Sequence, residues 1–333
     1  MIRLSVIIPV FGVEKYIARC LDSIFSINLP ESDYEVICVD DCSKDKSVQI
    51  IESYLSKHNN LRLLHHEENK KQGGARNTGI GVAEGEYVIF VDADDRIPKY
   101  EVAGTLDYMQ ANGLELLLGT AEIYKQDGTV SRWGNAPQEA SEIMPGPDVF
   151  DGEYIHKIAF GVVWMGIYRT SLLKRTAPFV EKVSYEDADW AMRCAYEAER
   201  LQYQPMVIYN YIENEVSTTK QGSMSKLIDR VRQGLRVWEW AQTTKEHHDE
   251  VMVAAEDFCT WNLNCLKSLG LYGGLDRRSF YRSFSEEEFS VMKQWKKGGG
   301  WMNVVRRPKL SRFVITTISP ILRFGKIMKN KLK

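Results

Sequence analysis

The sequence has no apolar run approaching the roughly 20 residues that carry a helix across a bilayer, so no membrane-spanning helix is expected. Its first apolar run, Leu4 to Phe11 behind Arg3, is too short for a signal peptide and has no small-residue cleavage site. It reads as a first strand in a protein that stays in the cytoplasm. Cysteine is sparse: Cys20, Cys38, Cys42, Cys194, Cys259 and Cys265 form no CxxC pair, which argues for reduced thiols and against a zinc site. No GxxxxGK[ST] occurs, and the glycine spacing after the first strand is not that of a dinucleotide fingerprint. Neither an internal repeat nor a low-complexity segment is found apart from Gly298-Gly-Gly300, which reads as a hinge.

What is present is a long, ordinary globular composition with an uneven charge. The 333 residues, 44% hydrophobic, call for one domain and a substantial appendage. Net charge is only -2, yet residues 301–333 carry nine cations (Arg306, Arg307, Lys309, Arg312, Arg323, Lys326, Lys329, Lys331, Lys333) and no acid. The body is therefore acidic, unsuited to nucleic acid, and the tail seeks an anionic surface.

Short β-branched runs alternate with helical patterns over the first 120 residues. Strands are expected at Leu4–Pro9, Glu35–Val39, Leu61–His65, Tyr87–Val91 and Leu114–Gly119, with helices near 13–26, 44–57, 74–83 and 99–111. Such a pattern gives an α/β fold with a mostly parallel sheet covered by flanking helices. Turn residues at Asp127-Gly128, Gly134-Asn135 and Pro145-Gly-Pro147 suggest a hairpin and a mobile loop between 121 and 160. Regular patterning resumes at 162–174, a helix is expected at 187–199 and a strand at 203–211. A helical C-terminal region follows from 221 to 300, with Trp238, Trp240, Trp261 and Trp295 at packing positions. The boundary is placed near 220.

Ligands of parallel sheets bind beyond the carboxyl ends of the strands, and two acidic groups stand there. Asp40-Asp41 follows the second strand and Asp92-Ala-Asp-Asp95 the fourth. Acids two apart present hard oxygens to a divalent cation that also needs phosphate oxygens, although Asp is equally a turn residue. Asp41 suits a ligand role, whereas Ser43 serves equally as helix cap or ligand. After the first strand, Pro9-Val10-Phe11 leaves an aromatic ring at the sheet edge where a planar base would lie. Gly73-Gly-Ala-Arg-Asn-Thr-Gly79 is a glycine-rich turn entering a helix, and its Arg76 offers a planar fork for a diphosphate. Glu186-Asp187 opens another helix. Acids in a first turn answer the helix dipole, or one of them acts as a general base beside apolar neighbours such as Trp190. Trp164 is either core or the wall of an acceptor pocket.

In this order the motifs resemble family 2 glycosyltransferases of bacterial surface-polysaccharide type over roughly residues 3–215. The resemblance implies a GT-A catalytic domain at 1–220, followed by the helical region 221–300 and a basic amphipathic tail, 301–333. It implies a nucleotide-sugar donor, with UDP-sugar expected, held by Pro9, Val10, Phe11, Glu14, Asp40, Asp41, Arg76, Asp92 and Ala93. Mn or Mg would sit on Asp94 and Asp92. Asp187, with Glu186 beside it, would be the catalytic base of an inverting displacement, and Trp164, Asp95 and Trp190 would line the acceptor pocket. The implied acceptor is a glycan or lipid-linked oligosaccharide of capsule, O-antigen or exopolysaccharide synthesis. Two departures are visible: Phe11-Gly12 replaces the family's usual Tyr-Asn, and the common His after the last strand is missing from Tyr209 to Ser217, which leaves a third metal ligand unassigned.

Other readings are weaker. A haloacid-dehalogenase-type phosphatase would carry its DxD on the first strand, and a sugar nucleotidyltransferase would want a Gly-rich signature with Lys near strand one. An inactive nucleotide-binding scaffold would have less reason to retain both acidic groups and the Glu-Asp pair. The tail interleaves its cations with Phe313, Val314, Ile315, Ile318, Ile321, Leu322, Phe324 and Ile327, which suits peripheral attachment to the inner face of the cytoplasmic membrane. Packing of a terminal helix on the acidic body is the alternative.

Overall fold

The computed structural model describes residues 1–99, 101–134, 136–150, 162–214, 223–264 and 282–292. The chain divides into two units, Met1–Ser217 and Thr218–Lys333. The first is built on an eight-stranded sheet of order β3-β2-β1-β4-β7-β5-β6, with β8 paired to β5. β1 (Leu4–Val10), β2 (Tyr34–Asp40) and β4 (Tyr87–Phe90) are buried along their whole length, as unbroken apolar strands require when both faces are covered. β3 (Leu61–His65) closes one edge.

The parallel ladders place functional positions side by side. β1 pairs β2 through to Val10↔Asp40, but its ladder to β4 ends at Ile7↔Phe90. Pro9 lies just beyond that end and has no N–H to continue a ladder. The chain winds outward from β1 through β2 to β3 and then returns to the other side of β1 for β4. The winding direction reverses between β1 and β4, where sheets of this kind open a crevice.

β5 (Leu116–Tyr124) and β8 (Leu201–Ile212) run parallel to each other, with register shifts between Leu118 and Ala121. β6 (Val130–Arg132) returns antiparallel on β5 through the expected hairpin, in which Gly128 takes a φ of 83°. β7 (Gly166–Arg169), unforeseen as a strand, fits antiparallel between β4 and β5. Residues 151–160 of the expected mobile loop lie outside those described.

Helices α1 (Ile17–Ile24), α2 (Ser47–Leu55), α3 (Lys71–Val82) and α4 (Val102–Ala111) occupy the expected connections. α1 buries Ile17, Cys20, Leu21 and Ile24, a single helical stripe. α5 (Thr170–Arg175) follows β7, and α6 (Asp187–Glu197) opens on the Glu-Asp pair.

In the second unit, helices Met224–Ala241 and His248–Asn264 cross closely at Gly234, where the Cys259 thiol donates to the Gly234 carbonyl at 2.9 Å. Trp238 is buried there, consistent with a packing role. Among the described residues no helix is long and apolar enough to cross a membrane, and Cys20, Cys38, Cys42, Cys194 and Cys259 are free thiols. Trp295, Gly298–Gly300 and the basic tail lie outside the described residues.

Candidate active site

The turn after β4 carries the first part of the site. Val91 donates to the Ile7 carbonyl at 3.0 Å, and Asp95 closes the turn with a backbone bond to Asp92 at 3.0 Å. Within the turn Asp92 and Asp94 are partly exposed, whereas Ala93 and Asp95 are buried at 3% and 1%. The buried Asp95 accepts from the Tyr209 hydroxyl at 2.8 Å and from the Ile212 amide at 2.7 Å. Tyr209 in turn accepts from the Asp92 amide at 3.0 Å. Asp95, expected in an acceptor pocket, is instead the interior anchor that aims Asp92 and Asp94 outward. Burial raises its carboxyl well above the usual range, reinforced by the charges of Asp94 and Asp92. Asp94 is raised too, first by burial and then by Asp92, while the Asn214 amide donating at 2.7 Å opposes the shift. Arg19 fixes the Asp94 carbonyl at 2.7 Å.

α3 joins this turn to the Glu-Asp pair. Arg76, 1% exposed, donates to Asp92 at 2.9 Å and to Glu186, with the Phe179 ring 5.6 Å beneath its guanidinium. Arg76, read from sequence as a diphosphate group, is thus an interior bridge between two carboxylates, because a buried guanidinium needs charged acceptors on its planar fork. The segment before α6 is strapped to α3: Asn77 and Phe179 exchange bonds of 2.9 Å in both directions, and Lys182 donates to the Lys70 carbonyl at 2.9 Å. Lys182 and Tyr185 take φ values of 61° in that segment, an uncommon conformation for residues with a Cβ that functional loops often hold. Glu186 is buried at 2%, while Asp187 keeps partial exposure. Desolvation raises the Asp187 carboxyl to about 7; Glu186 and Asp92 add to the rise and Arg76 opposes it.

On the other side of β1, Asp40 and Asp41 end β2. Asp40, 5% exposed, accepts from the Ser43 amide at 3.0 Å and faces His65 Nδ1 at 3.3 Å, so its oxygens shape the turn. Asp41 is 2% exposed and directs its Oδ1 to His66 Nδ1 at 2.8 Å and to the Lys70 amide at 2.7 Å. Its Oδ2 is buried with no hydrogen-bond partner. Pro9 and Val10 are interior strand residues, whereas Phe11 stands 58% exposed at the rim beside Gly12. Glu14 accepts from the Lys46 amide at 2.9 Å, and its own amide donates to Asp45 at 2.9 Å. Ser43 accepts from the Gly12 amide at 3.3 Å, tying the first and second rim loops together.

The two tryptophans expected at the acceptor pocket are both buried among aromatic rings. Trp164 is 6% exposed and stacks on Tyr209 at 4.4 Å; Trp190 is 1% exposed and stacks on Phe179 at 4.1 Å, edge-on to Phe90. Both are core residues, since each large ring is surrounded by other aromatic rings. Residues that sequence reading missed are His66, Asn214, Tyr209 and Arg19. His66 follows directly on the carboxyl end of β3, so the strand-end rule already applied to the acids would have found it.

Among the described residues no group of three or more His, Cys, Asp or Glu is placed to hold a metal ion unaided. Asp92 and Asp94 supply two hard carboxylates that repel each other, a donor set that fits a divalent cation sharing its remaining positions with a diphosphate. Where a third ligand would follow the last strand, Asn214 instead donates a hydrogen bond to Asp94.

Comparison with known proteins follows the same lines. The family model described as glycosyl transferase family 2 matches residues 5–176, just over half of the chain. A poly(ribitol-phosphate) beta-glucosyltransferase of Bacillus spizizenii is 32% identical over 214 residues, 63% of this chain and 32% of that protein. The uncharacterized glycosyltransferase EpsJ of Bacillus subtilis is 31% identical over 220 residues, 65% of this chain and 62% of that protein. This chain therefore spans from about a third to under two thirds of these relatives' own length. In fold it is similar to the crystal structure of S. aureus TarS 1–349 in complex with UDP-GlcNAc, at a TM-score of 0.68 and 22% identity, covering 97% of this chain and 92% of that one. Rim carboxylates at the switch point of a mostly parallel sheet, a matching family model and concordant relatives lead to one statement: the chain belongs to glycosyl transferase family 2.

Proposed function

We propose that the protein is an inverting glycosyltransferase that moves a hexose-type sugar from a UDP-sugar to a hydroxyl of a glycan or lipid-linked acceptor in surface-polysaccharide synthesis. The observation that carries the reading is the partly exposed Asp187, raised toward neutrality and joined through Glu186 and Arg76 to Asp92. A carboxylate so tuned takes a proton from an alcohol near neutral pH. The acceptor oxygen then attacks the anomeric carbon from the face opposite the departing diphosphate, which inverts the configuration. Buried Glu186 and Arg76 hold Asp187 at the edge of the donor site, and positioning of this kind is itself rate-enhancing. A relative named as a poly(ribitol-phosphate) glucosyltransferase and a fold neighbour solved with UDP-GlcNAc support the donor class and a polymer acceptor.

Asp94 and Asp92 would hold Mn or Mg, which when bound neutralises charge on the leaving diphosphate. A fold neighbour solved with GDP-Man and Mn2+ supports this assignment. Calorimetry with a UDP-sugar, with and without Mn, tests it. Wild type binds more tightly with Mn, and Asp94→Ala loses that gain. An affinity indifferent to Mn in both proteins contradicts the assignment.

A further inference from the structure

The Asp41 carboxylate is held in an asymmetric way. Its Oδ1 receives two donors, His66 Nδ1 and the Lys70 amide, while its buried Oδ2 receives none. His66 is itself nearly enclosed, its side chain 7% exposed, and its Nε2 lies 2.8 Å from the Thr78 hydroxyl on α3. The chain around the pair is pinned as well: the His66 amide donates to the Asp40 carbonyl at 2.9 Å, and Asn69 donates to the Asp41 carbonyl at 2.9 Å. A carboxylate accepts only, so the proton of the imidazole sits on Nδ1, and in the neutral ring Nε2 accepts from Thr78. A buried oxygen left without a donor is unfavourable and is relieved by a ligand N–H.

We propose that His66 is a positioning residue that fixes Asp41 as an acceptor-only group, with its second oxygen kept for the pairing-edge N–H of the donor's base. The base class follows from the chemistry. Uracil, like thymine and guanine, presents an N–H there and satisfies the oxygen, whereas cytosine presents a lone pair and is repelled. Thr78, the sixth residue of the Gly73–Gly79 motif, anchors the far nitrogen of His66 at 2.8 Å and so extends base selection to α3. This inference rests on the nucleotide-sugar reading given above and deepens it, naming what selects the base.

The test measures UDP and CDP affinity by calorimetry, and steady-state kinetics with a UDP-sugar, for wild type, His66→Ala, His66→Asn, His66→Gln, Thr78→Val and Asp41→Ala. His66→Ala raises KM for the donor about tenfold or more, the size expected for losing a hydrogen bond to a charged group, with kcat within about twofold. The UDP-over-CDP preference shrinks by a similar factor. Asn restores most of it, because its amide reaches the Nδ1 position; Gln, whose amide reaches toward Nε2, does not. Thr78→Val moves the preference in the same direction by less. An unchanged UDP-over-CDP preference in His66→Ala overturns the proposal, as does a loss in kcat with KM unmoved. If the Ala variant does not fold, equal preference in the Asn and Gln variants overturns it. Asp41→Ala separates the two levels: should it bind UDP as wild type does, base reading by Asp41 is itself wrong. Should it lose the preference while His66→Ala keeps it, only the role of His66 fails.

Discussion

At the scale of single residues, the site works by unequal burial of like groups. Asp92 and Asp94 stay partly exposed while Ala93 and Asp95 turn inward, and Asp95 is spent on Tyr209 and Ile212. Glu186 and Asp187 divide in the same way: Glu186 is held on Arg76, while desolvation, and after it the charge of Glu186, raises Asp187 to about 7. The ionised form is the base, so kcat/KM falls as pH drops below about 7, tenfold per unit, and is level above it. A pH–rate profile on the free enzyme checks this; a rate flat from about pH 5 to 8 contradicts it. The rim acids were legible in the sequence because each directly follows an apolar strand. The bridging of Asp92 and Glu186 by Arg76 was not foreseen, although Arg76 shares a helical face with Gly73 and Gly79, residues small enough to sit against the sheet and the strapped segment. The burial of Trp164 and Trp190 among other rings was not legible, because no local pattern distinguishes a ring facing a cleft from one facing other rings. Asn214 gave no signal, since its meaning depends on β8 lying beside the turn after β4.

Among the elements, α3 is the organiser. Its glycines set how closely it approaches its neighbours: a Cβ on Gly79 would come within 2.5 Å of Ile7 Cγ2, and one on Gly73 within 2.5 Å of the Val180 carbonyl and 3.1 Å of Glu186 Cγ. Gly73→Ala is therefore informative. Helix propensity favours Ala by about 1 kcal/mol, but overpacking against a backbone carbonyl costs about 1–3 kcal/mol. The expected net is a destabilisation of up to ~2 kcal/mol, with a larger fall in kcat because the displaced segment leads into Asp187. A thermal melt and a rate assay check it, and an Ala variant more stable than wild type and fully active contradicts it. Five strands and the four helices between them were readable from periodicity; their ends moved by a few residues. β7 was not readable, because four residues in an antiparallel insertion take their strand character from β4 and β5 and not from their own pattern.

For the whole molecule, the sequence points to a division of labour: a family 2 domain and a cationic tail. Nine cations interleaved with apolar residues in 301–333 support attachment to an anionic membrane surface near a lipid-linked acceptor. Liposome flotation checks this: the full chain floats with anionic vesicles and a chain lacking 301–333 does not, whereas equal flotation contradicts it. The central claim, however, is that a base carried by α6 and a donor site at the ends of β1, β2 and β4 serve one displacement. Asp187→Asn measures it most directly, because the change removes the base while keeping shape and leaves the donor site intact. The account predicts transfer lowered by about 10²–10⁴-fold with UDP affinity within about twofold of wild type. Near-normal transfer by Asp187→Asn, or a loss of UDP binding equal to the loss of rate, would contradict it.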